Sequence, residues 1–169
     1  MKFPKLVIFL DIDGCLTSKR DNTYFNPNPN KYHPSKNIID LLETFCLAND
    51  IKIIISSNWR KFDENASWTN GYGTYKNPIK EVKDLLSNVY FCTLPKFRHM
   101  KKSTAISKWL DENPEFTLQS KFAIIDDDLD EGFLDTLEYD ISNRFVHINS
   151  KYGITENDLE KVLEILENE

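Results

Sequence analysis

Val7-Ile8-Phe9-Leu10-Asp11-Ile12-Asp13-Gly14-Cys15-Leu16-Thr17 sets four apolar residues ahead of two carboxylates that flank one isoleucine. A short β-branched and aromatic run of this kind reads as a strand buried on both faces, as in parallel sheets. In an open α/β sheet, ligands bind beyond the carboxyl ends of such strands, and that is where Asp11 and Asp13 fall. Residues two apart on an extended chain point to the same side, so both carboxylates can face one pocket while Gly14 lets the backbone turn away. Like charges this close demand a cation or a shared proton, and a hard divalent ion such as Mg²⁺ meets the demand. A strand that simply ends in an Asp-Gly turn would look the same locally, so the rest of the chain decides.

The 169 residues, 19.8 kDa in mass, suit a single domain over 1–169 that buries roughly 70% of its unfolded surface. A net charge of -6 and a pI near 5.1 speak against a general nucleic-acid binder, whose field is normally dominated by a basic patch. Cys15, Cys46 and Cys92 are odd in number and unpaired in spacing, which fits reduced, buried thiols in a cytoplasmic protein. The first apolar run stops at Leu10, too short for a signal segment or a membrane span. A soluble protein with no membrane partner is expected; the oligomeric state stays open.

Beyond Thr17, strand and helix signals alternate without repeat or long linker, the pattern of an α/β fold. Ser18 to Pro34 is polar and rich in Asn and Pro, a loop or small flap. Ser35 then caps an amphipathic helix carrying Ile38, Ile39, Leu41, Leu42 and Phe45. Ile51 to Ile55 is a second buried strand, followed by a polar and aromatic stretch from Asn58 to Tyr75. Pro78 opens a helix with Ile79, Val82, Leu85 and Leu86, and Val89 to Leu94 is a third strand. Lys102 to Leu110 is a helix that Asn113-Pro114 stops. Phe122 to Ile125 and Phe145 to Ile148 are further strands, and Thr155-Glu156-Asn157-Asp158 opens a terminal helix.

The strand ends carry the chemistry. The first delivers Asp11 and Asp13, the second Ser56 and the fourth Asp126 and Asp127, with Lys101 or Lys102 at a helix start. A nucleophilic carboxylate attacking phosphorus needs a metal to quiet its charge, and a cation and a hydroxyl to hold the phosphoryl oxygens.

In these residues the chain resembles the haloacid dehalogenase superfamily of phosphohydrolases over nearly its whole length. The family's Asp-x-Asp-Gly motif is matched by Asp11-Ile12-Asp13-Gly14-Cys15-Leu16-Thr17, and its strand ending in Ser or Thr by Ile53-Ile54-Ile55-Ser56. Its helix-opening Lys is matched by Lys102-Ser103-Thr104-Ala105-Ile106, and its acid-ended strand by Ile124-Ile125-Asp126-Asp127. The run Ser56-Ser57-Asn58-Trp59-Arg60, with Trp109-Leu110 and Asp126-Asp127-Asp128, is also similar to the phosphatase-like domains of RNA repair proteins. The resemblance implies a Rossmann-like three-layer α/β sandwich with a mainly parallel sheet of about five strands and no large cap domain. It further implies Asp11 as nucleophile, Asp13 as acid and base, and Ser56 and Lys102 as phosphoryl holders. The ligands of Mg²⁺ would be Asp11, the Asp13 carbonyl and Asp126, with Asp127 acting directly or through water.

Other residues keep two readings. Lys102 is preferred to Lys101 because its spacing to Ala105-Ile106 fits better. Asn58 and Arg60 are candidate substrate-binding residues, although Arg60 can equally pair with a surface carboxylate, and Ser57 reads as structural. Asp128 and Asp130 read as a solvated acidic loop, His33 and His99 as loop residues and His147 as a structural one. Trp59, Phe62, Trp68, Tyr72 and Tyr75 either cover the sheet edge or form an aromatic wall beside the site.

Neither Ser18 to Pro34 nor Pro95 to Lys101 is long enough to fold as a lid domain, so the site is expected to be open. A phosphoprotein, phosphotyrosine included, or a small phosphomonoester is the expected substrate. A nucleic-acid end or nucleotide is the alternative, supported by the basic rim of Lys96, Arg98, Lys101 and Lys102. A receiver-type signalling module shares the acids, hydroxyl, Lys and Mg²⁺, but its acids are adjacent after the first strand, whereas Asp11 and Asp13 are not.

Overall fold

The apolar strands sort their side chains by parity, and that alternation builds the fold. The computed structural model describes residues 2–18, 34–65, 67–70, 73–97, 100–128 and 141–168, with the backbone alone for 67–70, 73–75 and 142. Its first half runs β1 (Leu6–Leu10), α1 (Lys36–Ala48), β2 (Ile51–Ile55), a 3-10 turn (Asn58–Lys61), β3 (Ser67–Asn70) and β4 (Gly73–Lys76). The second half runs α2 (Ile79–Leu85), β5 (Tyr90–Thr93), α3 (Lys102–Glu112), α4 (Pro114–Gln119), β6 (Lys121–Asp126), β7 (Phe145–His147) and α5 (Glu156–Glu167).

Ile8, Leu10, Ile51, Ile53, Ile55, Ala123 and Ile125 enter one apolar core, and Val7, Phe9, Ile54, Phe122 and Ile124 enter another. Strands apolar on both faces must be covered on both. Accordingly α1, α2 and α5 pack on the first face through Ile39, Leu42, Val82 and Val162, while α3 and α4 cover the second through Ile106, Leu110 and Phe116. The result is a three-layer α/β sandwich.

The main sheet has the order β5-β2-β1-β6-β7, with every pairing parallel. Its strands, taken in chain order, read 3-2-1-4-5, the doubly wound arrangement whose switch point lies at the first strand. β1 is central, pairing Leu10 with Ile55 on one side and with Ile125 on the other. The carboxyl ends of β1, β2 and β6 are therefore level.

Three local expectations change. Pro114 does not merely stop α3; it occupies the first turn of α4, a position its fixed φ suits. The polar and aromatic stretch after the 3-10 turn, to which the sequence pattern assigns no element, holds one: β3 and β4 pair as an antiparallel hairpin in which Trp68 stands opposite Tyr75. Ser35 takes the N-cap position of α1 with extended backbone, but its side chain makes no cap hydrogen bond. Thr155, by contrast, is tied into its helix start: the Asp158 carboxylate accepts from the Thr155 N–H at 3.1 Å and from its hydroxyl at 2.7 Å. The expected flap at 18–34 lies almost wholly outside the described residues, as do His33, His99, Arg98 and Asp130. No helix among the described residues is long and apolar enough to cross a membrane.

Candidate active site

The parallel ladder does not end at the last strand residues; it runs one step further and delivers the polar groups. The Asp11 N–H donates to the Ile125 carbonyl at 3.0 Å, and the Ser56 N–H donates to the Leu10 carbonyl at 2.8 Å. Asp126 is the last residue of β6, and its carbonyl accepts from Ile148 at 2.9 Å. Three adjacent strands thus hold Asp11, Ser56 and Asp126 by backbone hydrogen bonds alone, which makes the placement rigid.

Lys102 opens α3 and turns inward. Only 5% exposed, its Nζ donates to Asp126 Oδ1 at 2.6 Å and to Asp11 Oδ2 at 3.1 Å. Lys101 occupies the N-cap and stays exposed. Burial alone would pull the Lys102 ammonium down, but the two carboxylates outweigh it and hold the group above its ordinary range.

Beyond Asp13 the chain turns through Gly14 in the left-handed region at φ +68. A Cβ there would come within 2.0 Å of Asp127 Oδ2. Glycine is required on both counts, and its bareness is what brings Asp127 against the Asp-x-Asp turn. Carboxylate oxygens of Asp11 and Asp127 and the sulfur of Cys15 lie within 4.8 Å of one another.

The electrostatics are unbalanced. One ammonium, Lys102, faces the carboxylates of Asp11, Asp126 and Asp127. Burial pushes Asp126 up to about 7, with the Asp11 charge adding to the shift and Lys102 opposing it. Asp127 is pushed up to about 6, again by burial first and by Asp11 second. Among the described residues, Asp126 Oδ2 and Ser56 Oγ are buried without a hydrogen-bond partner. Cys15 has no solvent exposure, and burial drives its thiol well above the ordinary range, so it stays protonated.

Two further contacts escape the sequence. Trp59 Nε1 donates to Asp13 Oδ2 at 2.6 Å. Arg60, only 2% exposed, pairs with no surface carboxylate among the described residues. Its Nη1 donates to the carbonyls of Ser56 at 2.8 Å and Ser57 at 3.0 Å, clamping the end of β2. Ser57 is structural as expected, its Oγ accepting the Trp59 N–H at 3.4 Å to cap the 3-10 turn. Asn58 is exposed at the start of that turn. His147 Nε2 lies 2.9 Å from the Asp127 carbonyl, to which it can only donate. The side chains of Trp68, Tyr72 and Tyr75 lie outside the described residues, whereas Trp59 and Phe62 stand 6.3 Å apart as one aromatic pair.

The sequence of residues 7–159 matches the family described as the HAD domain in Swiss Army Knife RNA repair proteins. No curated protein and no solved structure matches the chain significantly. The match starts in β1, ends in α5 and takes in every strand end described above. The chain therefore belongs to the HAD domains of Swiss Army Knife RNA repair proteins, and through them to the haloacid dehalogenase phosphohydrolases.

Proposed function

We propose that the protein is a Mg²⁺-dependent phosphomonoester hydrolase working through an aspartyl-phosphate on Asp11. The observation that carries this reading is the Lys102 ammonium set between Asp11 and Asp126, one strand away from the idle hydroxyl of Ser56. A divalent cation fits a cluster in which carboxylates outnumber the cations, and Asp126 Oδ2, unpartnered among the described residues, offers it a buried oxygen. Asp11, Asp126, Asp127 and the Asp13 carbonyl make a set of hard oxygen donors suited to Mg²⁺. Bound there, the ion would neutralise the carboxylates and draw charge off the phosphoryl oxygens.

The residues then divide the work. An oxygen of Asp11 attacks phosphorus in line as the bond to the leaving alkoxide breaks, and Asp13 gives that alkoxide its proton. Asp13, now ionised, takes a proton from the water that attacks the phospho-aspartate, so the Asp11–phosphorus bond breaks and inorganic phosphate leaves. Ser56 Oγ donates to a phosphoryl oxygen throughout, and Lys102 holds the charge on Asp11 and the phosphoryl group.

The acidic balance of the chain favours a phosphoprotein, phosphotyrosine included, or a small phosphomonoester. A second reading, a nucleic-acid end, is favoured by the RNA repair setting in which the matched family is described. Turnover of phosphopeptides, nucleotides and 3′- and 5′-phosphorylated oligonucleotides, with Mg²⁺ and with chelator, tests both. Activity should require the metal, and Asp11→Asn should lower it by roughly 10³-fold or more without unfolding the protein. Metal-independent turnover, or an active Asp11→Asn, would sink the proposal.

A further inference from the structure

The 3-10 turn Asn58–Lys61 is pinned from two directions. Arg60 clamps the Ser56 and Ser57 carbonyls behind it. Ahead of it, Asn77 Nδ2 donates to the carbonyls of Trp59 at 3.2 Å and Asp63 at 3.0 Å, while Asn77 Oδ1 accepts the Ile79 N–H at 3.0 Å and ties the turn to α2. The half-buried Trp59 between these anchors lays its indole N–H on Asp13 Oδ2 at 2.6 Å. An indole nitrogen is a donor only. Oδ2 is then the accepting oxygen of Asp13, which favours Oδ1 as the carrier of a proton.

From this contact we infer that Trp59 is a positioning residue, which commits Asp13 to moving its proton through Oδ1 and holds that oxygen toward the leaving group. The inference rests on the acid–base role proposed for Asp13. A free carboxyl rotates about its terminal torsion and exchanges its two oxygens. Fixing one oxygen removes that search from each transfer, and proton transfer depends on such geometry before anything else. The turn carrying Trp59 is anchored to the same strand as Ser56 and to α2, so the fold itself holds the donor in place.

Leaving-group dependence separates this role from a merely structural one. An aryl phosphate with a stable phenolate leaving group needs little protonation, whereas an alkyl phosphate needs a full proton. Trp59→Phe keeps the ring but loses the donor. It should lower kcat on the alkyl ester by roughly tenfold or more and leave the aryl ester nearly unchanged, as expected for a lost hydrogen bond to a charged group. Asp13→Asn, measured alongside, should widen the same gap further. If Asp13→Asn widens it and Trp59→Phe does not, the inference is overturned while the phosphatase reading stands. If Asp13→Asn leaves the gap unchanged, the acid–base role itself is overturned and the inference goes with it. Should Trp59→Phe fail to fold, hydrogen exchange of the indole N–H in the unmodified protein decides. Protection that Asp13→Ala abolishes supports the inference, and an unprotected Trp59 indole overturns it.

Discussion

A lysine in the first turn of a helix opposes the macrodipole, which favours anions there. Lys102 occupies that position in α3, among first-turn residues that include no acid, and is buried as well. Both penalties are offset by Asp11 and Asp126, so the ion triad and the helix start are one construction. Lys102→Met keeps the side-chain volume but leaves two buried carboxylates facing each other. Such a change is expected to cost about 3 kcal/mol of stability in urea unfolding, to be partly reversed by added Mg²⁺, and to lower turnover by orders of magnitude. The triad was legible because each member ends or begins a patterned element. Trp59 and Arg60 were not, since Trp59 meets Asp13 across 46 positions of chain and Arg60 bonds to carbonyls, which carry no sequence signal.

At the scale of elements, the buried strands declared themselves by continuous Ile, Val and Phe, and the helices by spacing. α4 did not, because six residues are too few for a period and its proline reads as a stop. Yet α4 contributes Phe116, fully buried, which meets Trp109 edge to face at 4.9 Å and Phe9 at 6.1 Å. Phe3 adds a third edge-to-face contact at 5.5 Å. Phe116→Ala should destabilise the protein by about 3–5 kcal/mol in a denaturant titration. Phe9 is one residue from Leu10 and two from Asp11, so activity should fall in step with the folded fraction rather than independently of it. The β3–β4 hairpin was hidden for another reason: the Asn and Gly residues among its Thr, Trp and Tyr imitate a loop.

For the molecule as a whole, the acid cluster couples stability to pH. Asp126 sits at about 7 and Asp127 at about 6 in the folded protein, against roughly 3.9 for an unfolded aspartate. The folded state binds these protons more tightly, so their stabilising contribution is complete below about pH 4 and is lost as pH rises through about 6 to 7. Between those limits the chelated protein should show a falling urea midpoint. Mg²⁺ should restore more stability at the upper end than at the lower, because cation binding competes with the protons. An Mg²⁺ effect that does not grow with pH would contradict the ligand set.

The strand order also sets a timetable for synthesis. β1 is translated before both of its neighbours yet occupies the middle of the sheet, between β2 and a β6 that is made much later. Until Lys121–Asp126 is translated, one flank of β1 is a bare apolar edge open to mispairing with other chains. The same delay has a protective side. Because Asp11 and Lys102 acquire their third partner only when β6 docks, a nascent chain cannot assemble the ion triad, and phosphate chemistry waits for the finished sheet.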